Sequence, residues 1–242
     1  MSQELSEQEL QRRSSLSKLR ELGIEPYPAA TFSVSHLAES VKADYIENNH
    51  VKMAGRMMSQ RIMGKASFAE LMDHTGRIQV YVSRDEICPE DDKTLYNDVF
   101  KKVLDIGDFI GVKGQVFKTK VGETSIRVTE LTVLSKSLKP LPIVKTDADG
   151  NVHDGFADKE QRYRMRYLDL VVNPEVKKVF EQRTKIINSM RSFFNARGYL
   201  EVDTPVLQPI PGGAAARPFV THHNSLDIEM YMRIANELYL KR

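Results

Sequence analysis

Arg77-Ile78-Gln79-Val80-Tyr81-Val82 sets Ile78, Val80 and Val82 against Arg77, Gln79 and Tyr81, the period of two expected of a β-strand with one buried face. The same period runs through residues 51–134. Upstream, Phe68-Ala-Glu-Leu-Met72 reads as a strand opened by Phe68, and parity puts Leu71 on the opposite face. Downstream, Gly107-Asp-Phe-Ile-Gly-Val-Lys-Gly114, with Val112 and Val116, reads as a curved strand whose glycines mark sharp bends. His74-Thr75-Gly76 and Val121-Gly122-Glu123 mark two turns.

Residues 94–104 read as a short helix between the third and fourth strands, which gives the order β-β-β-α-β-β. That order is the arrangement of an OB-fold barrel. An immunoglobulin-like sandwich would want more strands and no helix at that point. Around the barrel, Leu10, Leu16, Leu19 and Leu22 predict an amphipathic helix over residues 6–22, ended by Gly23. Its Arg12, Arg13, Lys18 and Arg20 suit a solvated polar face better than phosphate contacts. Lys139-Pro-Leu-Pro142 and the acidic tract 147–154 read as a linker or exposed loop. The expected organisation is a helical extension over 1–50, the barrel over 51–140, a linker over 141–160 and a second domain over 161–242.

Composition narrows the classes. At 242 residues the chain can bury two modest cores, and 41% apolar with 28% charged residues is an ordinary soluble composition. No apolar run approaches the roughly 20 residues of a membrane span. The polar, acidic start Met1-Ser-Gln-Glu lacks the layout of a secretory signal, so a cytoplasmic location is the expectation. A lone Cys88 forbids an internal disulfide or a thiolate cluster, and the adjacent His222 and His223 would point to opposite faces of a strand; no metal site is expected. A formal net charge of +2 is too small for bulk electrostatics to make a nucleic-acid binder, so any RNA contact must be local.

With Ile78 and Val80 pointing inward, Gln79 points out onto an open face, and Phe68 stands exposed beside it. An aromatic there can stack on an unpaired base and an amide can read a base edge, while Arg61, at the start of the first interstrand loop, can meet phosphate or a base, with Lys65 as a second cation. The same pattern equally suits a rim aromatic, an ordinary solvent-facing glutamine and a loop cation.

Asn173-Pro174-Glu175 predicts a helix start, and Val176, Val179, Phe180, Ile186, Ile187, Met190, Phe193 and Phe194 follow one helical stripe up to Gly198. Tyr199-Leu-Glu-Val-Asp-Thr-Pro205 reads as a short strand ended by proline. That sequence of helix, strand and proline resembles the first signature motif of class II aminoacyl-tRNA synthetases. Arg162-Tyr-Arg-Met-Arg-Tyr-Leu-Asp-Leu170 resembles their lysine, aspartate and asparagine subgroup. Arg61-Ile-Met-Gly-Lys-Ala-Ser-Phe68, Gly76-Arg-Ile-Gln79, Gly212-Gly-Ala-Ala-Ala-Arg-Pro-Phe219 and Thr221-His-His-Asn-Ser-Leu226 resemble the bacterial-type lysyl-tRNA synthetases.

The resemblance implies an OB-fold anticodon-binding domain followed by the incomplete start of an α+β class II catalytic domain. It places anticodon-reading roles on Arg61, Phe68 and Gln79, and lysine-substrate roles on Gly213 and Glu237. On residue pattern alone Glu237 reads as a surface salt-bridging acid. Asn236 stands where the family is expected to carry proline, which would loosen the turn into Glu237. The implied parent reaction attaches lysine to tRNA(Lys) through a lysyl-adenylate, with ATP and Mg²⁺, in a homodimer whose interface includes the long helix. The second and third signature motifs do not occur before Arg242, so no catalytic residue is assigned, no bound cofactor is expected, and the chain alone is expected to be inactive. Two other readings stay open: a non-enzymatic OB-fold RNA-binding module, and an aspartate or asparagine enzyme of the same subgroup.

Overall fold

The computed structural model describes residues 5–142, 145–146, 152–153 and 156–241, so most of the acidic tract read as a linker lies outside the described residues. The chain divides into two compact units, Met1–Val172 and Asn173–Arg242.

The first unit opens with α1 (Glu7–Glu21), and both of its ends are set locally. Ser6 and Glu9 form a reciprocal capping box at the start. At the other end Gly23, with φ +73°, donates to Arg20 and is followed by Ile24 donating to Leu19, the paired bonds of a Schellman stop. The buried stripe departs from the leucine pattern, because Leu10 is exposed and the residues turned inward are Arg12, Ser15 and Leu19. Arg12 does not lie on a solvated face. Its guanidinium reaches two main-chain carbonyls, Ile106 at 2.8 Å and Ser137 at 3.1 Å. A single helix cannot announce that a guanidinium fork will meet carbonyls 94 and 125 residues away.

After the short α2 (Ala38–Ala43) come β1 (His50–Met63), β2 (Ala66–Met72), β3 (Arg77–Ser83), α3 (Arg84–Ile87), a π-helical turn (Leu95–Val103), β4 (Phe109–Lys118) and β5 (Thr124–Ser135). The strands close into a barrel in the order β1-β2-β3-β5-β4, with every pairing antiparallel except β3 against β5. Inward residues such as Met53, Leu71, Ile78, Val80, Val112, Ile126 and Val128 form its core. The π-helical turn adds Tyr96, Val99, Phe100 and Val103 to the same cluster. Tyr96 satisfies its buried hydroxyl against Ser67 at 2.8 Å. Gly114 is required by close approach, since a Cβ there would lie 2.1 Å from the Arg127 carbonyl, at the register shift between β4 and β5.

Asp73, at the end of β2, anchors α2. It accepts from the main-chain N–H groups of Ala38 (2.7 Å), Thr75 (2.7 Å) and Gly76 (3.0 Å), and from the Thr75 hydroxyl. Burial pushes its carboxyl up, but the bonds from Thr75, Ala38 and Gly76 outweigh it and hold the group below its ordinary 3.8. The resulting stability is therefore fully present above that unfolded-state value and is lost as the pH falls through the depressed folded value. Asp73→Ala is expected to cost about 1–3 kcal/mol at neutral pH. Urea unfolding of both proteins as a function of pH should show the difference shrinking at acid pH, and a constant difference would contradict this account.

The first unit ends with the short pair β6 (Lys145–Thr146) and β7 (Val152–His153), then α4 (Lys159–Arg164) and α5 (Arg166–Val172). There the fully buried Asp169 is paired with Arg162, at 2.9 Å, and with Arg166.

The second unit holds α6 (Pro174–Asn195), β8 (Leu207–Gln208), β9 (Val220–His223), β10 (Ile228–Met232) and α7 (Glu237–Leu240), with sheet order β8-β10-β9. Pro174 opens α6 at its first position, where its missing N–H costs nothing. No residue of α6 is buried; Val179, Ile186, Met190 and Phe193 stand exposed along the expected stripe. The strand expected over 199–205 does not form. A strand needs a ladder partner, and here Tyr199, Leu200 and Val202 are exposed in irregular backbone, with the first ladder residues only at Leu207. Among the described residues no helix is long and apolar enough to cross a membrane.

Candidate nucleic-acid interface and amino-acid loop

The outer face of the barrel is organised by register. Arg61 lies opposite Phe68, Phe68 opposite Tyr81, Tyr81 opposite Arg127, and Arg127 opposite Gln115, so one cross-strand row runs from β1 through β2, β3 and β5 to β4. Beside it runs a second row of Glu70, Gln79, Ser125 and Phe117. Arg61 is thus a strand residue and not the opening of a loop, because β1 continues to Met63 and turns at Gly64 and Lys65. Its exposed side chain stands next to the half-buried Phe68.

Gln79 sits between the fully buried Ile78 and Val80 and is itself half-buried, one diagonal step from Phe68. Its Oε1 accepts a 2.9 Å hydrogen bond from the buried Ser125 hydroxyl. Glu70, opposite Gln79, is engaged by Arg77 at 3.0 Å.

The structure adds three residues that sequence reasoning missed. Tyr81 lies 5.2 Å from Phe68, centroid to centroid, and 6.1 Å from Phe117 in an edge-to-face contact. The Arg127 guanidinium stands 5.1 Å from the Phe117 ring. Three aromatic rings with arginines at the margins make a surface on which unpaired bases can stack while cations meet the backbone. Parity with Gln79 could have found Tyr81. Nothing local could have found Phe117 or Arg127, because the parallel β3–β5 pairing that brings them across joins segments far apart in the chain.

In the second unit the structure brings Gly213 and Glu237 together. Gly213 has φ +88°, and a Cβ there would meet the Ala235 Cβ at 3.0 Å and Glu237 Oε2 at 3.8 Å. Glu237 is the first residue of the one-turn α7, is exposed, and pairs with Lys241 as its surface pattern suggests. The Asn236 side-chain oxygen accepts from the Thr204 hydroxyl at 2.9 Å, and Arg233 also donates to Thr204. Gly213→Ala combines a left-handed backbone with a crowded Cβ and is expected to destabilise this loop by about 1–2 kcal/mol. Faster amide exchange confined to residues around 211–217 and 234–238 would show it, and unchanged exchange would refute it.

His222 and His223 do not converge on an ion. His222 pairs with Asp227 at 3.1 Å, whereas His223 accepts from the Leu226 N–H. Among the described residues no group of three or more histidine, cysteine or acidic side chains is placed to hold a metal.

Residues 51–134, which coincide with the barrel, match the family of OB-fold nucleic-acid-binding domains, and residues 158–242 match the class II tRNA synthetases of the aspartate, lysine and asparagine group. The chain is 62% identical to a lysine–tRNA ligase of Christiangramia forsetii and 63% to one of Porphyromonas gingivalis, each over 99% of this chain and 42% of the relative. It is 52% identical to a lysine–tRNA ligase of Thermoanaerobacter pseudethanolicus, over 99% of this chain and 46% of the relative. The chain thus spans a little under half the length of the curated relatives it matches. An OB-fold barrel joined to the start of a class II synthetase domain, with this identity along almost its whole length, places the chain in the lysine–tRNA ligase family.

Proposed function

We propose that this chain is the anticodon-binding and dimer-interface portion of an enzyme that attaches lysine to tRNA(Lys), using ATP through a lysyl-adenylate. The observation that carries the proposal is the cross-strand row of Arg61, Phe68 and Tyr81 beside Gln79 on the open face of a nucleic-acid-binding fold. In this reading Phe68 stacks on an unpaired anticodon base, Gln79 hydrogen-bonds a base edge and Arg61 meets phosphate or base. Stacking supplies affinity and the amide supplies identity.

Gly213 and Glu237 belong to the lysine site. Glu237 offers a carboxylate to an ammonium group, and the bare glycine backbone beside it lets the amino acid approach. Adenylate formation joins the lysine carboxylate to the α-phosphate of ATP and needs cations at the developing charge. The described residues form no metal cluster, and no step is assigned to Mg²⁺ on side chains of this chain. ATP, Mg²⁺ and lysine are substrates and cofactor of the whole enzyme, which acts in the cytoplasm. The exposed apolar stripe of α6 is the surface a second copy covers in a homodimer.

The test is binding of the chain to the anticodon stem-loop of lysine tRNA against that of aspartate tRNA, at one salt concentration. Selective binding of the lysine stem-loop, with no lysine-dependent pyrophosphate exchange, is the expected result. Equal binding of both stem-loops would remove the anticodon role, and robust exchange would show that the chain carries the chemistry itself.

A further inference from the structure

Among the described residues one buried side-chain oxygen meets no hydrogen-bond donor, and it belongs to Glu86 on α3. This short helix packs against β5, and the one cation within ion-pair reach of the carboxylate is Arg127 of that strand, whose Nε stands 4.0 Å from the other Glu86 oxygen. That is too long for a hydrogen bond. A carboxylate oxygen left buried and unmet is costly, and it calls for a physical reason.

Arg127 is equally unfinished on its other side. Its guanidinium lies 5.1 Å from the centre of the Phe117 ring, within cation–π range but looser than close stacking, and it donates no hydrogen bond among the described residues. The planar fork of N–H donors would satisfy both oxygens of Glu86 in a bidentate pair after a movement of about 1 Å. That movement would uncover the half-buried Phe117 ring. Two contacts thus compete for one guanidinium, and in the free chain each is half made. An unpaired base stacked on Phe117 would end the competition, because it covers the ring and leaves Arg127 to Glu86.

We propose that Phe117 is a further base-stacking seat on the barrel, covered by Arg127 in the free chain, and that Glu86 is the positioning residue that receives Arg127 when an RNA base displaces it. The inference rests on the RNA-reading face proposed above and extends it by one nucleotide. An OB fold engages about 4–16 nucleotides, more than the single base that Phe68 can stack. Phe117 is the far ring of the same surface, in edge-to-face contact with Tyr81 and diagonal to Arg127 across β4 and β5. RNA binding and the Glu86–Arg127 pair then support each other, since the RNA favours the arrangement in which the pair is closed.

The distinguishing variant is Glu86→Ala, for which general electrostatics and this proposal predict opposite signs. Removing a carboxylate near a polyanion should tighten binding through charge alone. Here it is expected to weaken binding of the lysine-tRNA anticodon stem-loop to the complete chain by about fivefold, the small end of a usual coupling between two sites. The loss should vanish when Glu86→Ala is made in an Arg127→Ala or a Phe117→Leu background, and thermal unfolding should report an intact barrel in each variant. Arg127→Ala alone should leave the slope of log affinity against log salt unchanged, whereas a phosphate contact would lower it by about one. In the unsubstituted chain, nitrogen-15 NMR should show the Arg127 Nε–H becoming protected from water exchange as the stem-loop is added. Unchanged or tighter binding by Glu86→Ala, a loss that persists without Arg127, a lowered salt slope, or an Arg127 resonance indifferent to saturating RNA would each overturn the proposal. Phe68→Ala tells its failure from that of the face. If that variant weakens binding and Glu86→Ala does not, only the Phe117 seat is lost; if Phe68→Ala changes nothing, the face itself falls and this inference with it.

Discussion

Lys136→Met is expected to destabilise the first unit by about 3–5 kcal/mol, the cost of leaving a buried charge without its partner. The Lys136 side chain is fully buried, and its ammonium lies 2.7 Å from the equally buried Asp108 and 2.5 Å from Asp105. Asp108 also accepts from the main-chain N–H groups of Asp105 (2.8 Å) and Ser137 (2.7 Å). Arg12 of α1 and the Tyr27 hydroxyl close the cluster by donating to the carbonyls of Ser137 and Lys136. The network thus holds the N-terminal helix, the entry to β4 and the exit of β5 in one place.

Burial pushes the Asp108 carboxyl above its ordinary 3.8 despite the cation beside it, so its contribution to stability is greatest below 3.8 and shrinks as the pH rises through the folded value. Without Lys136 the carboxyl rises further, which makes the loss greatest at neutral pH and smaller in acid. Lys136→Met combined with Asp108→Asn removes both charges and should recover more than half of the loss, because what is costly is the unpaired charge and not the missing bridge. Denaturant unfolding of the two single variants and the double variant checks this. A double variant as weak as the sum of the singles would show that the two side chains contribute independently and would refute this account.

Sequence reading succeeded wherever one segment decides its own structure. The alternation through Ile78, Val80 and Val82 located β3 and its buried face, and the leucine spacing over residues 6–22 with its stop at Gly23 located α1 to within a residue. It failed where the partner is distant. Arg12 is drawn inward by carbonyls at Ile106 and Ser137, the parallel β3–β5 closure sets Ser125 and Arg127 beside Gln79 and Tyr81, and residues 199–205 have strand composition but no ladder to join. Arg61 is expected to open a loop but lies on a strand, since a hydrophobic period cannot show that β1 continues two residues beyond it. The contact of Gly213 with Glu237 spans an irregular loop and a sheet, where no periodicity carries information.

Phe68→Ala is expected to weaken binding of the lysine-tRNA stem-loop by roughly five- to 150-fold, the 1–3 kcal/mol of one base-stacking ring, and to leave the fold nearly untouched. The ring lies on the outer face, and the barrel interior beneath it is filled by Ala69 and Leu71, both fully buried. Its neighbour Tyr81, 5.2 Å away, loses one ring contact but keeps Phe117. Phe68→Leu separates two explanations: it preserves apolar area but not the aromatic face, so a stacking role predicts a loss close to that of alanine, and simple burial predicts near-complete recovery. Salt dependence separates a third. Arg61, exposed at the end of the same row, should on substitution by alanine lower the slope of log affinity against log salt by about one if it meets a phosphate. Phe68→Ala should shift the line without changing its slope. If Phe68→Ala changed the slope, or Phe68→Leu bound as well as the unsubstituted chain, the ring would be a spacer between cations and the face would read charge instead of bases.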